Sequence, residues 1–326
     1  MPVLRFNVDS KETGICKVSS LWRGRIDPPG TADTCRWHQV IRPIEVDGSQ
    51  KGGIALLGLA CDEGVRRNGG RVGAHEGPDA LRRALSNLPV LHTHALYDAG
   101  DVSCKGDALE VAQQAYAQRA RQLLDAGHFV IGLGGGHEIG FASYLALAAH
   151  LGGADKRIGI FNFDAHFDLR EAARASSGTP FLQAINHAQS REMRLTYHCI
   201  GASRTGNTPH LFATAERCGV RYIVEEELCP WNWIAQAELI RGWCDEVDAI
   251  YVTICLDVLS QSVAPGVSAP NAGGMALEVL EALLDSIMAT GRTVIMDVAE
   301  LCPVLDRDNA TARVAARLIH RAVSRL

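Results

Sequence analysis

The sequence predicts an α/β fold: a mostly parallel sheet covered on both faces by helices. Three observations predict it. Short, almost wholly apolar runs recur from residue 53 onward, longer amphipathic runs separate them, and several apolar runs end in an acidic or polar residue. Continuous Val, Ile and Leu without polar alternation marks strands buried on both faces. Strand–helix alternation builds parallel sheet, and such sheets bind ligands at the carboxyl ends of their strands.

Residues 1–50 are polar and irregular, with Pro28, Pro29 and Gly30 marking a loop, and Trp22 and Trp37 are expected to pin this segment to the domain. The first strand is GIALLGLA (53–60), followed by the helix GPDALRRAL (77–85) with Pro78 in its first turn. LYDAG (96–100) is a short strand candidate, and DALEVAQQAYAQRARQLLDAG (107–127) is a helix closed by Gly127, suited to the position just past a helix end. HFVIGLGG (128–135) and RIGIFNFD (157–164) are strands flanking the helix IGFASYLALAAHL (139–151). Two further strands follow, LTYHCIGA (195–202) and VRYIVEE (220–226), then the helix AQAELIRGWCDEV (235–247). The strand AIYVTICLD (249–257), the helix ALEVLEALLDSIMATG (276–291), the strand RTVIMDVAE (292–300) and the helix NATARVAARLIHRAV (309–323) complete the series. With no internal repeat, low-complexity tract or linker, residues 1–326 read as one α/β domain with an irregular N-terminal segment of about 50 residues.

Composition excludes several classes of function. Hydrophobic residues make up 47% and charged residues 21%, which argues against disorder. A net charge of -5 gives no electrostatic reason for nucleic acid or an anionic membrane as partner. No apolar run approaches the roughly 18 residues of a membrane span. MPVLRFNVDSKET has no apolar signal-peptide core, so a cytoplasmic location is expected. The 10 Cys include no C-x-x-C pair and read as mostly reduced and buried. His38, His75, His187 and His320 have no partner at ligand spacing and read as structural or surface residues.

The chemistry gathers where strands end. Asp164, His166 and Asp168 follow one strand at i, i+2, i+4, so in extended backbone they share a side. Carboxylates with imidazole suit a divalent cation such as Mn²⁺; the same residues also read as acidic caps on a helix N-terminus. The GGGHE run (134–138) bends the backbone sharply and leaves His137 at the sheet rim. It lacks the Lys-Ser/Thr of a P-loop and the G-x-G-x-x-G of a dinucleotide fold. Cys255 and Asp257 end another strand, and Glu300 ends a fourth. Taken alone, Cys255 reads as a small buried hydrophobe. Together these residues fit a two-metal centre that activates water for hydrolysis.

GGGHE (134–138), NFDAHFDLR (162–170) and CLDVLSQSVAPGVSAP (255–270) resemble the three metal-binding blocks of the arginase–agmatinase (ureohydrolase) superfamily. WRGRID, RWHQVI, LACDEGVRRNGGRVGAHEGPDALRRAL, SSGTPF, GASRTGNT and DVAELCP resemble its formimidoylglutamase branch. The resemblance runs from about residue 20 to the C-terminus. It implies a three-layer α/β/α fold around an eight-stranded parallel sheet, two Mn²⁺ ions bridged by hydroxide, and hydrolysis of N-formimidoyl-L-glutamate to L-glutamate and formamide. It implies that His137 and Asp168 hold one ion and His166 the other, that Asp164 bridges, and that Asp257 completes the second ion's shell. Asp168 would also orient the hydroxide and shuttle a proton, and Glu300 would hold the amidinium. Asn68, Arg71 and Arg204 lie in loops suited to the substrate carboxylates. The partner implied is a small-molecule substrate, and superfamily members commonly form oligomers.

Two departures stand out. Phe181 lies in the stretch where arginases carry a leaving-group His, which argues against arginase activity. The family block D-x-D reads Cys255-x-Asp257 here, replacing the Asp that should bridge both ions. Two other readings follow: a different ureohydrolase acting on agmatine or a guanidino acid, and a metal-poor member that binds without catalysis.

Overall fold

The computed structural model describes residues 15–16, 20–28, 30–44, 50–153 and 155–326. Pro29 and the segment MPVLRFNVDSKET lie outside the described residues. In chain order the elements are β1 (Ile15–Cys16), α1 (Trp37–Val40), β2 (Arg42–Pro43), β3 (Ile54–Ala60), α2 (Glu63–Arg67), α3 (Gly77–Ser86) and β4 (Leu96–Ser103). Then come α4 (Leu109–Asp125), β5 (Phe129–Gly134), α5 (Ile139–Leu151), β6 (Arg157–Phe163), α6 (Pro180–Ser190), β7 (Arg194–Ala202) and α7 (Pro209–Arg217). The chain continues through β8 (Arg221–Val224), α8 (Trp233–Asp245), β9 (Ala249–Cys255), α9 (Leu277–Met288), β10 (Thr293–Ala299) and α10 (Ala310–Val323).

All eight strands expected from the sequence form, as β3 to β10. They lie in the order β4-β3-β5-β10-β9-β6-β7-β8, and every pairing among them is parallel. Two strands of two residues each extend the sheet at β4: β1 antiparallel and β2 parallel. Two residues are too few to show a period, so that stretch reads as irregular in the sequence.

Side chains alternate between the two faces, as pleated backbone requires. On β3, Ile54 and Leu56 join the apolar layer under α3, α8, α9 and α10, with Leu81, Ile240, Leu280 and Leu318. Ala55, Leu57 and Leu59 join the opposite layer under α4, α5, α6 and α7, with Tyr116, Leu147, Ile185 and Leu211. The architecture is therefore three-layered, α/β/α. A fully buried leucine such as Leu57 contributes about 1.5–3 kcal/mol.

Several sequence signals act as expected. Pro78 sits in the first turn of α3. Gly127, at φ +82°, closes α4; its amide bonds the Leu124 carbonyl and the His128 amide bonds that of Leu123. This paired ending satisfies carbonyls the helix leaves open. Trp22 donates to Asp98 at 2.7 Å, and Trp37 is fully buried, so both anchor the N-terminal segment. Asp98, on β4, also takes two bonds from Arg82 on α3, at 2.9 and 3.0 Å, and Arg82 lies 2.7 Å from Asp101. Among the described cysteines, Cys61, Cys199, Cys244, Cys255 and Cys302 are buried, Cys35, Cys104, Cys218 and Cys229 are half-buried, and no disulfide forms.

The topology positions the site. The chain leaves β5 and re-enters the sheet at β6, with β10 and β9 lying between them. The four neighbours β5, β10, β9 and β6 are the strands whose ends carry His137, Glu300, Cys255 with Asp257, and Asp164 to Asp168.

Candidate metal centre and active site

The turn after β5 needs its glycines. A side-chain carbon at Gly135 would collide with the backbone of Cys61, so only glycine lets this turn pack against the end of β3. His137 is thereby set over β9 and buried, with Nε2 3.0 Å from Thr253 Oγ1. Its Nδ1 lies 3.0 Å from Asp164 Oδ2 and 2.9 Å from Asp168 Oδ2. Neither approach has hydrogen-bond geometry, so this buried nitrogen is left without a hydrogen-bond partner.

Past β6, the expected alternation holds. Ala165 and Phe167 turn into the core, while Asp164, His166 and Asp168 line one cavity. Asp164 is oriented from both sides: Oδ1 accepts the His166 amide at 2.8 Å and Oδ2 accepts Asn162 Nδ2 at 2.9 Å. His166 Nδ1 lies 3.2 Å from Asp257 Oδ2 and 3.6 Å from Asp164 Oδ1.

Two sets of converging donor atoms result. His137, Asp164 and Cys255 form one; Asp164, His166 and Asp257 form the other. Asp164 is the member common to both. Donors that crowd together, with one buried nitrogen left unbonded, fit divalent cations better than they fit one another. Cys255 contributes to the first set only. A thiolate offers one donor atom on a short arm, whereas the carboxylate implied by the family pattern offers two oxygens on a longer one.

Burial and charge set the protonation preferences of this cluster. Burial opposes the charged form of His137, but Asp164 and Asp168 outweigh it and hold its pKa well above the ordinary histidine range. Burial also opposes charge on His166, and Asp257 and Asp164 raise its pKa likewise. Burial raises Asp164, but the adjoining His137 and His166 rings outweigh it and bring it below the usual carboxylate range. Burial and the neighbouring Asp164 push Asp168 up to about 6. Burial, Glu138 and Asp257 push Glu300 up to about 8. Burial, Asp164, Asp257 and Glu300 push the Cys255 thiol up.

Backbone geometry singles out two of these acids. Among the described residues, five non-glycines have left-handed backbone: Asp168 (φ 49°), Glu192, Glu300 (φ 70°), Asp308 and Asn309. Only Asp168 and Glu300 of the five are not exposed. Such conformations cost about 1–3 kcal/mol each and collect at functional sites. Glu300 is held by its amide to the Gly135 carbonyl at 2.8 Å, and its Oε1 accepts the His137 amide at 2.9 Å.

The cavity has a volume of about 380 Å³, within the range of small-molecule sites. His137, Asp164, His166, Asp168, Cys255, Asp257, Glu300, Asn68 and Arg71 all line it. Arg71 ties its loop to the opposite one, donating to the Ser268 carbonyl at 2.9 Å and the Val267 carbonyl at 2.7 Å. Arg204 is not brought here. Ser203 is held by Glu225 at 2.7 Å and Gly206 packs on His166, so Arg204 faces a separate groove, 3.9 Å from Glu226. Phe181 does not line the cavity either. It sits in the first turn of α6, edge-on to the His137 ring at 5.2 Å and stacked on Tyr197 at 4.6 Å, so it backs the His137 ring from outside the cavity.

Four polar lining residues escaped the sequence reading: Arg170, Ser177, Asn207 and Ser268. Arg170 had a signal. It is the next member of the i, i+2 series after Asp168, and its guanidinium makes no ion pair among the described residues. Thr253 and Asp297 had none, because both sit inside apolar strands. They face each other across β9 and β10, and Asp297 also accepts Ser143 and Tyr251 hydroxyls at 2.6 Å each. Thr253 Oγ1 lies 3.0 Å from His137 Nε2 and orients the ring so that Nδ1 is directed toward Asp164 and Asp168. Thr253→Val is therefore expected to weaken divalent-cation binding by about 10–100-fold, read by titrating metal-stripped protein; unchanged affinity would count against the role.

Comparison with known proteins agrees with this geometry. The Arginase family model matches residues 52–324. The formimidoylglutamase of Ralstonia nicotianae is 48% identical over 307 residues, covering 93% of this chain and 94% of that protein. That of Nocardia farcinica is 48% identical over 306 residues, covering 93% and 96%. The crystal structure of formimidoylglutamase from Bacillus subtilis superposes with a TM-score of 0.77 at 23% identity, covering 88% of this chain and 90% of that one. Trypanosoma cruzi formiminoglutamase with Mn²⁺ gives 0.74 at 25% identity, covering 84% and 93%. A family match over five-sixths of the sequence, joined to near-half identity along almost all of it, makes this chain a member of the arginase family, on the branch that carries the formimidoylglutamases.

Proposed function

We propose that the chain hydrolyses N-formimidoyl-L-glutamate to L-glutamate and formamide, within one arginase-like domain, with two Mn²⁺-type positions held by His137, Asp164, Asp168, Cys255, His166 and Asp257. The observation that carries the reading is the pair of donor sets sharing Asp164 at the base of a cavity that Glu300 and Arg170 also line. Formimidoylglutamase relatives at 48% identity support the substrate. Bound divalent metal would lower the pKa of water and stabilise negative charge as water adds to the formimidoyl carbon.

The chain's own groups supply the rest. Asp168 is a carboxylate on the cavity wall, 2.9 Å from His137 Nδ1, so it can accept a proton from the attacking water and return it to the departing amine of glutamate. Glu300 pairs with the cationic amidine, which lowers its own pKa from about 8 and places the reacting carbon over the donor sets. Arg170 and Arg71 face the substrate carboxylates, with Asn68 and Ser177 donating beside them. Guanidinium matches carboxylate in planar, two-bond geometry. An agmatine tail, being cationic, would meet these arginines unfavourably.

The test is glutamate release by metal-stripped protein reloaded with Mn²⁺, run beside agmatine, arginine and guanidino acids. Mn²⁺-dependent release from formimidoylglutamate alone is expected. Turnover of a guanidino substrate instead would replace the reading, and no turnover of any would overturn it. Arg170→Ala is expected to raise KM by about 10–100-fold with a smaller change in kcat, since one charge-assisted bond is worth about 1.5–3 kcal/mol. A fall in kcat at unchanged KM would assign Arg170 a different part.

A further inference from the structure

The two donor sets are chemically unlike. The first contains the sulfur of Cys255 with His137 and Asp164; the second, Asp164, His166 and Asp257, contains only nitrogen and oxygen. Cys255 is the last residue of β9 and is 2% exposed, so its side chain is fixed by the sheet rather than by a loop. After it, the helical turn Leu256–Val258 carries Asp257 to the other set. A second observation points to a ligand at the sulfur position: His137 Nδ1, on a side chain that is almost wholly buried, is directed into that set without a hydrogen bond. Thiolate ligands select zinc and other thiophilic ions, whereas carboxylate with imidazole accepts manganese.

We propose that the chain carries a mixed centre: a sulfur-bearing position formed by Cys255, His137 and Asp164 that selects a thiophilic divalent ion, zinc foremost, beside a position formed by Asp164, His166 and Asp257 that holds manganese. The proposal rests on the reading of this cavity as a metal centre, and it goes beyond that reading by assigning a different ion to each half. The carboxylate shared through Asp164 keeps the two ions adjacent, so the centre stays dinuclear.

The test loads metal-stripped protein with one equivalent of Zn²⁺ per chain, then excess Mn²⁺, and counts retained metals after gel filtration. A parallel sample takes one equivalent of Co²⁺ and is watched for the near-ultraviolet absorption of a cobalt–thiolate bond. The expected result is one zinc and one manganese per chain, with the absorption complete at the first equivalent of cobalt. Cys255→Asp and Cys255→Ser should both lose the absorption, and manganese should displace zinc from Cys255→Asp more readily than from the natural chain. His166→Ala should keep the absorption and lose manganese. Bound cobalt without the absorption, or zinc displaced equally from both chains, overturns the proposal. If the protein loaded with zinc and then manganese retains two manganese ions and no zinc, the hydrolase reading survives and the mixed centre does not; failure to bind any divalent metal removes both.

Discussion

Replacing Asp164 with Asn is expected to lower kcat/KM by about 1,000-fold or more and to empty both metal positions together. Asp164 is the member common to the two donor sets. Its substitution therefore differs in kind from Asp257→Asn, which should affect only the second position. Asn is also a poor replacement at this point. Oδ1 accepts the His166 amide and Oδ2 accepts Asn162 Nδ2. Whichever way the new amide turns, its NH2 faces one of those donors, leaving a buried donor unsatisfied at about 1–3 kcal/mol. Kinetics with metal analysis separates the two variants: retention of two ions per chain by Asp164→Asn would refute the shared role.

Arg82→Ala is expected to destabilise the fold by about 3–5 kcal/mol. Arg82 is 1% exposed, and it pairs with Asp98, which is fully buried, and with Asp101. Asp98 also receives Trp22 Nε1 and the Gly100 amide. Removing the guanidinium leaves two adjacent carboxylates facing each other without a cation, in a space water enters poorly. The same change unfastens α3 from β4 and loosens the N-terminal segment held through Trp22. Urea unfolding measures the loss. Arg82→Met, which restores volume without charge, should remain strongly destabilised, because the uncompensated carboxylates cause the loss. If Arg82→Met recovered most of the stability, packing would be the larger effect.

Much of this structure was legible in the sequence for a physical reason. A strand covered on both faces must be apolar throughout, so β3 and β5 to β10 are visible as runs. The residues that leave those runs line the cavity, and i, i+2 spacing placed Asp164, His166 and Asp168 on one side. The misses share a cause too. β1 and β2 are too short to show a period, and α6 and α7, which open at Pro180 and Pro209, are not among the helices read from the sequence. Arg204 looked suited to the substrate because spacing says nothing about which way a turn faces. Thr253 and Asp297 act on the site only because β9 and β10 are neighbours, a relation that exists in three dimensions. The left-handed backbone at Asp168 and Glu300 has no sequence signal, since neither is glycine.

The order of strands across the sheet has a consequence for how the molecule is made. His137 and Glu300 are bonded neighbours although 163 positions separate them along the chain. The donor sets draw on β6 and β9, and the cavity over them is completed only when β10, the last strand, slots between β5 and β9. A nascent chain lacking its C-terminal quarter therefore owns His137, Asp164 and His166 but not the pocket that holds them together. Closing contacts this distant in sequence is slow. Metal held across these strands would favour the finished molecule over every shorter intermediate, so its uptake would mark the completion of folding.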